Sequence, residues 1–292
     1  MNGLDRGRII VPNTPSPLRY PGGKTKLYQF VRNIIQANNL LHETYIEPFA
    51  GGAGLAIKLL QSGDVRRIVI NDYDPAIYAF WSSVLHRAGD FCEFIMNVPL
   101  TIDEWDFQKE IYENSDRYNE FELAKAVLFL NRSNISGVIT GGVIGGREQT
   151  GSFRMDARFN REAICKKILD IASLSGHIDL YQLDAMEFLG HDILGHYYKT
   201  FINFDPPYVE KGGQLYKNSF TQEDHRRLRD CIANCRRKWI VTYDSCDYVA
   251  ELYHRYRKSI LNIYYSANSV RKATEYVFFS NNLLLPGGVD LI

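Results

Sequence analysis

The pattern of apolar and polar positions predicts short buried strands that alternate with amphipathic helices. Apolar runs of strand length lie at 44–47, 67–71, 178–183, 200–204 and 239–243. Apolar residues at helical spacing lie between them, for example Leu55, Leu59 and Leu60 after the first run. Strands that alternate with helices favour an α/β fold with a mostly parallel twisted sheet.

The last part of the chain predicts two more strands, at 259–264 and 275–279, joined by a polar loop with Arg271 and Lys272. We expect the terminal strand to be antiparallel to the others. Residues 1–17 are predicted to form an extended arm, and the glycine-containing stretch 209–220 is predicted to form a closing loop.

The pattern changes between residues 76 and 162. Residues 103–122 are rich in acids, which predicts a solvated helical surface that a phosphate backbone would repel. An apolar helix then ends at Asn131, Arg132 and Asn134, and a glycine-rich stretch follows from Ile135 to Gly151. Arginines follow this helix and suit contacts with phosphates and base edges: Arg132, Arg147, Arg154, Arg158 and Arg161. A mobile surface loop of no consequence is the alternative.

The overall composition gives no global electrostatic argument for binding nucleic acid. The 292 residues carry 34 Lys+Arg and 34 Asp+Glu, so any basic surface must be local. Five cysteines lack metal-ligand spacing, and we expect no metal site. We expect a protein of the reducing cytosol, with neither a signal core nor a membrane span.

The most informative motif follows the run at 200–204 and reads Asp205-Pro206-Pro207-Tyr208. Two prolines stiffen the chain as it leaves the strand, so Asp205 and the Pro206 carbonyl project as fixed acceptors. Tyr208 adds an aromatic face beside them. Two acceptors and a stacking platform suit a planar ring that carries an exocyclic amine. A proline turn with a packed surface tyrosine is the alternative.

A second motif is the glycine turn that follows the strand at 44–47, from Glu47 through Phe49 and Gly51 to Gly54. Strand, glycine turn and helix form the first half of a nucleotide-binding unit. The position that should hold the third small residue of a dinucleotide fingerprint is Ile57, which disfavours NAD but leaves an adenosine ligand open.

Acids at the ends of two later strands have alternative roles. Asp72 is placed to accept the hydroxyls of a ribose, while Asp74 fits better as the cap of the next helix. Asp184 lies where it could approach an adenine, or it could cap a helix. Near the N-terminus, Gly22, Gly23 and Lys24 open a helix, where free N–H groups attract anions.

With these stretches placed, the chain resembles the Dam-type adenine-specific DNA methyltransferases over residues 17–282. The matching stretches are residues 19–24, the glycine turn at 47–54, Asn71-Asp72, 130–132 and the motif at 205–208. The resemblance implies a Rossmann-like methyltransferase fold and S-adenosylmethionine as cofactor. It implies that Tyr20, Lys24, Asp72 and Asp205 help to hold the cofactor, with Asp184 near its adenine. A catalytic domain at 1–75 and 163–292 and a DNA-recognition insertion at 76–162 are expected.

The expected reaction is methyl transfer to the exocyclic amine of a flipped adenine in double-stranded DNA. The glycine run at 141–146 departs from Dam, so the sequence does not predict the DNA site. An RNA adenine or a glutamine amide remains an alternative substrate, and a DNA-binding protein without turnover is a second alternative. The oligomeric state and a paired restriction endonuclease stay open.

Overall fold

The computed structural model describes residues 14–20, 23–190, 192–209, 220–266 and 270–292. The predicted arm at 1–17 lies mostly outside these residues, as do Gly22 and the predicted closing loop apart from its two ends. None of the helices in the described ranges is long and apolar enough to span a bilayer.

The centre of the described structure is a mixed sheet. Its strands are β1 (Thr44–Glu47), β2 (Arg67–Asn71), β3 (Ile178–Tyr181), β4 (Thr200–Phe204), β5 (Lys238–Asp244), β6 (Arg257–Ser266) and β7 (Val270–Phe279). They lie in the order β3-β2-β1-β4-β5-β7-β6. Strands β1 to β5 are parallel, and β7 is antiparallel to both β5 and β6. The predicted fold class, a mostly parallel sheet with a terminal antiparallel strand, is confirmed.

One detail of the strand prediction is wrong. The backbone of Arg271 and Lys272 belongs to β7, where it pairs with Tyr265 and Tyr264 of β6. Polar residues at these positions suggested a loop, but a long two-stranded ribbon can carry polar residues along its length because it is paired through the backbone.

Helices cover both faces of the sheet. They are α1 (Tyr28–Ala37), α2 (Gly54–Gln61), α3 (Pro75–His86), α4 (Ala88–Asn97), α5 (Ile102–Glu113), α6 (Glu120–Ser133), α7 (Arg161–Ala172), α8 (Ala185–Gly190), α9 (Gln222–Asn234) and α10 (Asp247–Leu252). Capping residues in the sequence determine where several helices begin. Asp74 caps α3 by accepting the Ala76 N–H at 2.9 Å, and Asn119 forms a capping box with Glu122 at α6.

Alternate residues of each strand enter different halves of the core. Along β5, Ile240 packs with α1 to α3, while Trp239 and Val241 pack with α8 to α10. Buried residues of the predicted insertion, such as Phe91 and Phe129, belong to the same cluster as Ile240. The insertion helices therefore extend the core on one face of the sheet, and the domain boundaries at 76 and 162 stay a prediction.

Candidate active site

The candidate site lies at the carboxyl ends of β1 and β4. These two strands are neighbours, and the chain runs outward from them in opposite directions, through β2 and β3 on one side and β5 on the other. Open α/β sheets bind ligands where the strand order reverses in this way. The glycine turn leaves β1 at this point and Asp205 leaves β4, so the topology brings the two motifs of the sequence together.

A charged cluster surrounds Asp205. The Lys24 ammonium lies 3.0 Å from Asp205 Oδ1 and 3.0 Å from Glu275 Oε2, and it donates to the Tyr208 hydroxyl at 2.7 Å. The Tyr208 hydroxyl in turn donates a short hydrogen bond to Glu275. Lys24 therefore contacts two carboxylates and the phenol of the motif at once.

Asp205 is fixed but accessible. Thr242 of β5 donates its hydroxyl to Asp205 Oδ1 at 2.9 Å, and the Asp205 side chain is still 24% exposed. Burial raises the pKa of Asp205 and the charge of Glu275 acts in the same direction, while Lys24 and Thr242 oppose both. These contacts hold one carboxylate oxygen firmly and leave part of the group open to a ligand.

Tyr208 and the prolines complete the motif. The tyrosine is 8% exposed, Pro206 is buried and Pro207 is half-buried. The Val209 N–H donates to Asp244 Oδ1 at 3.2 Å, which ties the end of the motif to β5. The motif is therefore packed against the rest of the protein, in agreement with the stiffness expected of two adjacent prolines.

The glycine turn packs closely against the N-terminal segment. Gly51 has φ +45°, and a Cβ there would lie 2.6 Å from the Tyr20 ring. A Cβ on Gly54 would lie 2.4 Å from the Thr25 hydroxyl oxygen. Sequence reasoning assigned these glycines to a ligand, but they also make room for the chain's own residues.

Asp72 lies beside the same turn and is half-buried. It accepts the N–H groups of Gly51 at 2.8 Å and Asp74 at 3.0 Å. Burial raises its pKa to about 7, against the two backbone hydrogen bonds. Each carboxylate oxygen keeps acceptor capacity, so the group fits the hydroxyls of a ribose. The preceding residue, Asn71, is fully buried and bonds to Pro48 and Leu183, which joins the loops after β1, β2 and β3.

Glu47 forms a buried polar group beneath the site. It is 6% exposed and accepts the Tyr45 hydroxyl at 2.9 Å. Burial raises its pKa to about 8; the hydrogen bonds from Tyr45 and Asn203 lower it and the charge of Asp205 raises it. Asn203 Oδ1 is buried without a hydrogen-bond partner in the described structure. Glu47 is held away from solvent, so a direct contact with a cofactor needs an opening of this layer.

Two other predicted cofactor residues lie at the edges of the site. Asp184 caps α8 through the Met186 N–H at 2.9 Å, which is the alternative role that its sequence position allowed. Phe49 is half-buried and packs edge-on against Phe220, with 6.0 Å between the ring centroids. Whether either contacts the cofactor stays a prediction.

Two predicted DNA contacts have internal roles instead. Asn131 is 2% exposed, accepts the Arg19 N–H at 2.7 Å and donates to the carbonyls of Arg19 and Gly137. Asn134 is fully buried and accepts the Trp105 indole N–H at 2.7 Å. We therefore withdraw both side chains from the DNA-contact assignment, because their polar atoms already serve the fold.

The arginines predicted to contact DNA differ in their exposure and in their hydrogen-bond partners. Arg132 is largely buried and donates to the carbonyls of Pro17 and Arg158; burial and the charge of Arg19 lower its pKa to about 10. Arg147 makes two parallel hydrogen bonds with Asp106, at 2.8 and 2.7 Å. Arg154 and Arg158 are exposed. Neither of these two exposed guanidinium groups has a carboxylate partner in the described structure.

Sequence reasoning missed Glu275. It lies at the start of an apolar run in β7 and is 1% exposed. An acid placed inside an apolar strand is a signal of a buried ion pair, since burying an unpaired carboxylate is costly. Its partner, Lys24, is too distant in the sequence for spacing to reveal it.

The comparisons with known proteins agree with these motifs. A sequence model of the D12 class N6 adenine-specific DNA methyltransferases matches residues 20–268. The Type II methyltransferase M.MjaIII of Methanocaldococcus jannaschii is 23% identical over 228 residues, which cover 71% of this chain and 73% of that protein.

Solved structures give weaker likenesses. A SAM-dependent methyltransferase from Agrobacterium tumefaciens aligns with a TM-score of 0.42 and 11% identity, over 88% of this chain and 61% of that one. A putative RNA methyltransferase from Pyrococcus horikoshii aligns with a TM-score of 0.40 and 8% identity, over 96% and 90% of the two chains. TM-scores this low add nothing to the match with the family.

The family match spans both halves of the predicted catalytic domain and the insertion between them. It confirms the resemblance to adenine-specific DNA methyltransferases and, with it, the cofactor and the class of reaction. The chain belongs to the D12 class N6 adenine-specific DNA methyltransferase family, whose members use S-adenosylmethionine to methylate adenine in DNA.

Proposed function

We propose that Asp205 and the Pro206 carbonyl hold the N6 amine of an adenine extruded from double-stranded DNA. A base inside a duplex is out of reach, so it must leave the stack to reach the carboxyl end of β4. The observation that carries this assignment is the partial exposure of Asp205, whose Oδ1 is fixed by Lys24 and Thr242. S-adenosylmethionine supplies an electrophilic methyl group when it is bound.

The two acceptors make the amine reactive. The lone pair of an adenine amine is delocalised into the ring, so the nitrogen is a poor nucleophile. Accepting both N–H bonds favours a tetrahedral nitrogen with a directed lone pair. The Asp205 carboxylate also stabilises the positive charge that develops on this nitrogen as the N–C bond forms and the S–C bond breaks.

The remaining site residues orient the reactants. The turn from Gly51 to Gly54 and the half-buried Asp72 fit a nucleoside, with Asp72 accepting from the ribose hydroxyls. Lys24 keeps Asp205 ionised through its ion pair. Tyr208 stacks on the extruded base, a contact worth about 1–3 kcal/mol.

The test of the assignment is Asp205→Asn. Asparagine keeps the shape but lacks the charge, so we expect methyl transfer to DNA to fall roughly 100-fold or more. The measurement is incorporation of tritium from labelled S-adenosylmethionine into plasmid DNA. Asp247→Asn, an exposed acid of α10, is the matched control and should keep the wild-type rate.

Two outcomes would contradict the assignment. A full rate in Asp205→Asn would remove Asp205 from the chemistry. Tritium that enters RNA or a glutamine-bearing protein, and not DNA, would favour the alternative substrates. Mapping modified adenines in the methylated plasmid by single-molecule sequencing would then give the recognised site.

We also propose a paired restriction endonuclease as a partner. The support is the similarity to a relative that is named a Type II methyltransferase. If the pairing exists, an extract of the source cells should cleave an unmodified plasmid and spare one methylated by this protein. Equal cleavage of both plasmids would argue against it.

A further inference from the structure

Glu275 links the residues of the proposed reaction without reaching the reacting atoms itself. Its carboxylate lies 3.0 and 3.3 Å from the Lys24 ammonium and accepts the Tyr208 hydroxyl. The backbone register places it opposite Asp244 of β5. Glu275 thus contacts both the cation that holds Asp205 and the aromatic residue of the motif.

Burial makes these contacts firm. The side chains of Lys24 and Glu275 are 5% and 1% exposed, so neither charge is well solvated. In such surroundings a carboxylate retains its charge only if a cation and hydrogen-bond donors accompany it. Lys24 and Tyr208 supply both, and their own positions are fixed in return.

We propose that Glu275 is a positioning residue for the methyl transfer assigned above. It holds the Lys24 ammonium against Asp205. Through the hydrogen bond to the Tyr208 hydroxyl, it also fixes the position of the ring on which an extruded adenine would stack. The inference rests on the proposed function, because it gives Glu275 a role only if Asp205 and Tyr208 act on the base.

A purely structural role makes a different prediction. If Glu275 only balanced the charge of Lys24, its loss would lower the stability and the amount of active protein. The acid limb of the remaining activity would then move to lower pH, because Lys24 stays beside Asp205 while a neighbouring negative charge is lost. The pH dependence of kcat/KM therefore separates the two roles, since it reports the ionisation of groups in the free enzyme.

The decisive variant is Glu275→Gln, which keeps size and an acceptor but removes the charge. We expect kcat to fall on the order of 10- to 100-fold, as when a hydrogen bond to a charged group is lost. The KM for S-adenosylmethionine should change less, because Glu275 lies behind Lys24 and Tyr208.

Because Lys24 is no longer held against Asp205, the acid limb of the profile should move to higher pH. Activity needs the ionised carboxylate of Asp205, and it is lost as the pH falls through the pKa of that group. The charged groups that face Asp205 are Lys24 and Glu275, since Glu47, with a pKa of about 8, is protonated over this limb. Removing Glu275 takes away a charge that raises this pKa, but releasing Lys24 from Asp205 takes away the larger contribution that lowers it.

A matched control lies at the far edge of the sheet. Asp179 of β3 also accepts from a tyrosine, Tyr197 at 2.6 Å, and pairs with a cation, Arg67 at 2.6 Å. Asp179→Asn removes a similar group away from the site. It should leave kcat and the acid limb at wild-type values in the folded protein.

Tyr208→Phe shows whether Glu275 acts through the phenol. The ring is kept and only the hydroxyl is lost, so the double variant Tyr208→Phe/Glu275→Gln should lose less than the product of the two single losses. Multiplicative losses would assign the effect of Glu275 to Lys24 alone and would overturn the part of the proposal that concerns Tyr208.

The outcomes separate this inference from the proposed function. A wild-type enzyme that transfers no methyl group to DNA would overturn both. An active wild type together with a Glu275→Gln variant of wild-type kcat, or of lowered kcat with an acid limb at the wild-type pH or below it, would overturn the positioning role alone.

Discussion

At the scale of the residue, Glu47 makes the stability of the protein depend on pH. Its pKa in the folded chain is about 8, which is well above the ordinary value for a glutamate. The folded state therefore binds a proton that the unfolded state has already lost at neutral pH. Stability from this group is full at low pH and declines as the pH rises from the unfolded pKa through about 8.

Glu47→Gln should reduce this decline. Glutamine has no proton to lose and can still accept the Tyr45 hydroxyl. The free energy of unfolding, measured by urea denaturation at pH 5 and pH 8, should differ less between the two conditions in the variant. Glu148→Gln, an exposed site, should retain the wild-type difference. An equal difference in all three proteins would show that Glu47 is already ionised at pH 5.

At the scale of the element, the end of α6 anchors the N-terminal segment. Asn131→Ala removes an acceptor and two donors, and leaves the Arg19 backbone and the Gly137 carbonyl unpaired. We expect a loss of about 2–4 kcal/mol in the free energy of unfolding. Asn97→Ala, an exposed helical asparagine that bonds only to Glu93 of its own helix, should cost about 0.5 kcal/mol or less. Similar losses in both would refute the anchoring role.

The sequence predicted the elements that local patterns determine. Strands β1, β2 and β4 have the predicted bounds, because each is a short run with a proline or an acid directly after it. The predicted cap of α3 is present, since a cap needs only its own helix. The position of Asp205 beside the glycine turn also follows, because parallel strands that begin βα units end at the same edge.

What the sequence left open depends on contacts between distant residues. Asn131 and Asn134 are of a residue type that often contacts DNA. Only their buried hydrogen bonds show that they hold Arg19 and Trp105. Glu275 is another case, since its role comes from a lysine near the other end of the chain. Spacing along one segment carries no information about such partners.

At the scale of the whole molecule, a net charge of zero means that DNA must be attracted by local cations. Arg154 and Arg158 are exposed on the insertion, and neither guanidinium has a carboxylate partner in the described structure. If both contact phosphates, Arg154→Ala/Arg158→Ala should weaken DNA binding and reduce the slope of log K against log salt by roughly two.

Arg147 provides the control for this measurement. Its guanidinium is already paired with Asp106, so Arg147→Ala should leave the slope of fluorescence-anisotropy titrations close to that of the wild type. A reduced slope in Arg147→Ala and an unchanged slope in the double variant would assign the phosphate contacts to Arg147 and not to Arg154 and Arg158.

The segment that carries Arg19 and Tyr20 contacts both the glycine turn after β1 and the end of α6. On one side the tyrosine ring lies over the turn at Gly51, and on the other side the arginine backbone is hydrogen-bonded to Asn131. One peptide unit separates the two contacts. Because adjacent residues make the two contacts, an insertion or deletion in this stretch would break at least one of them.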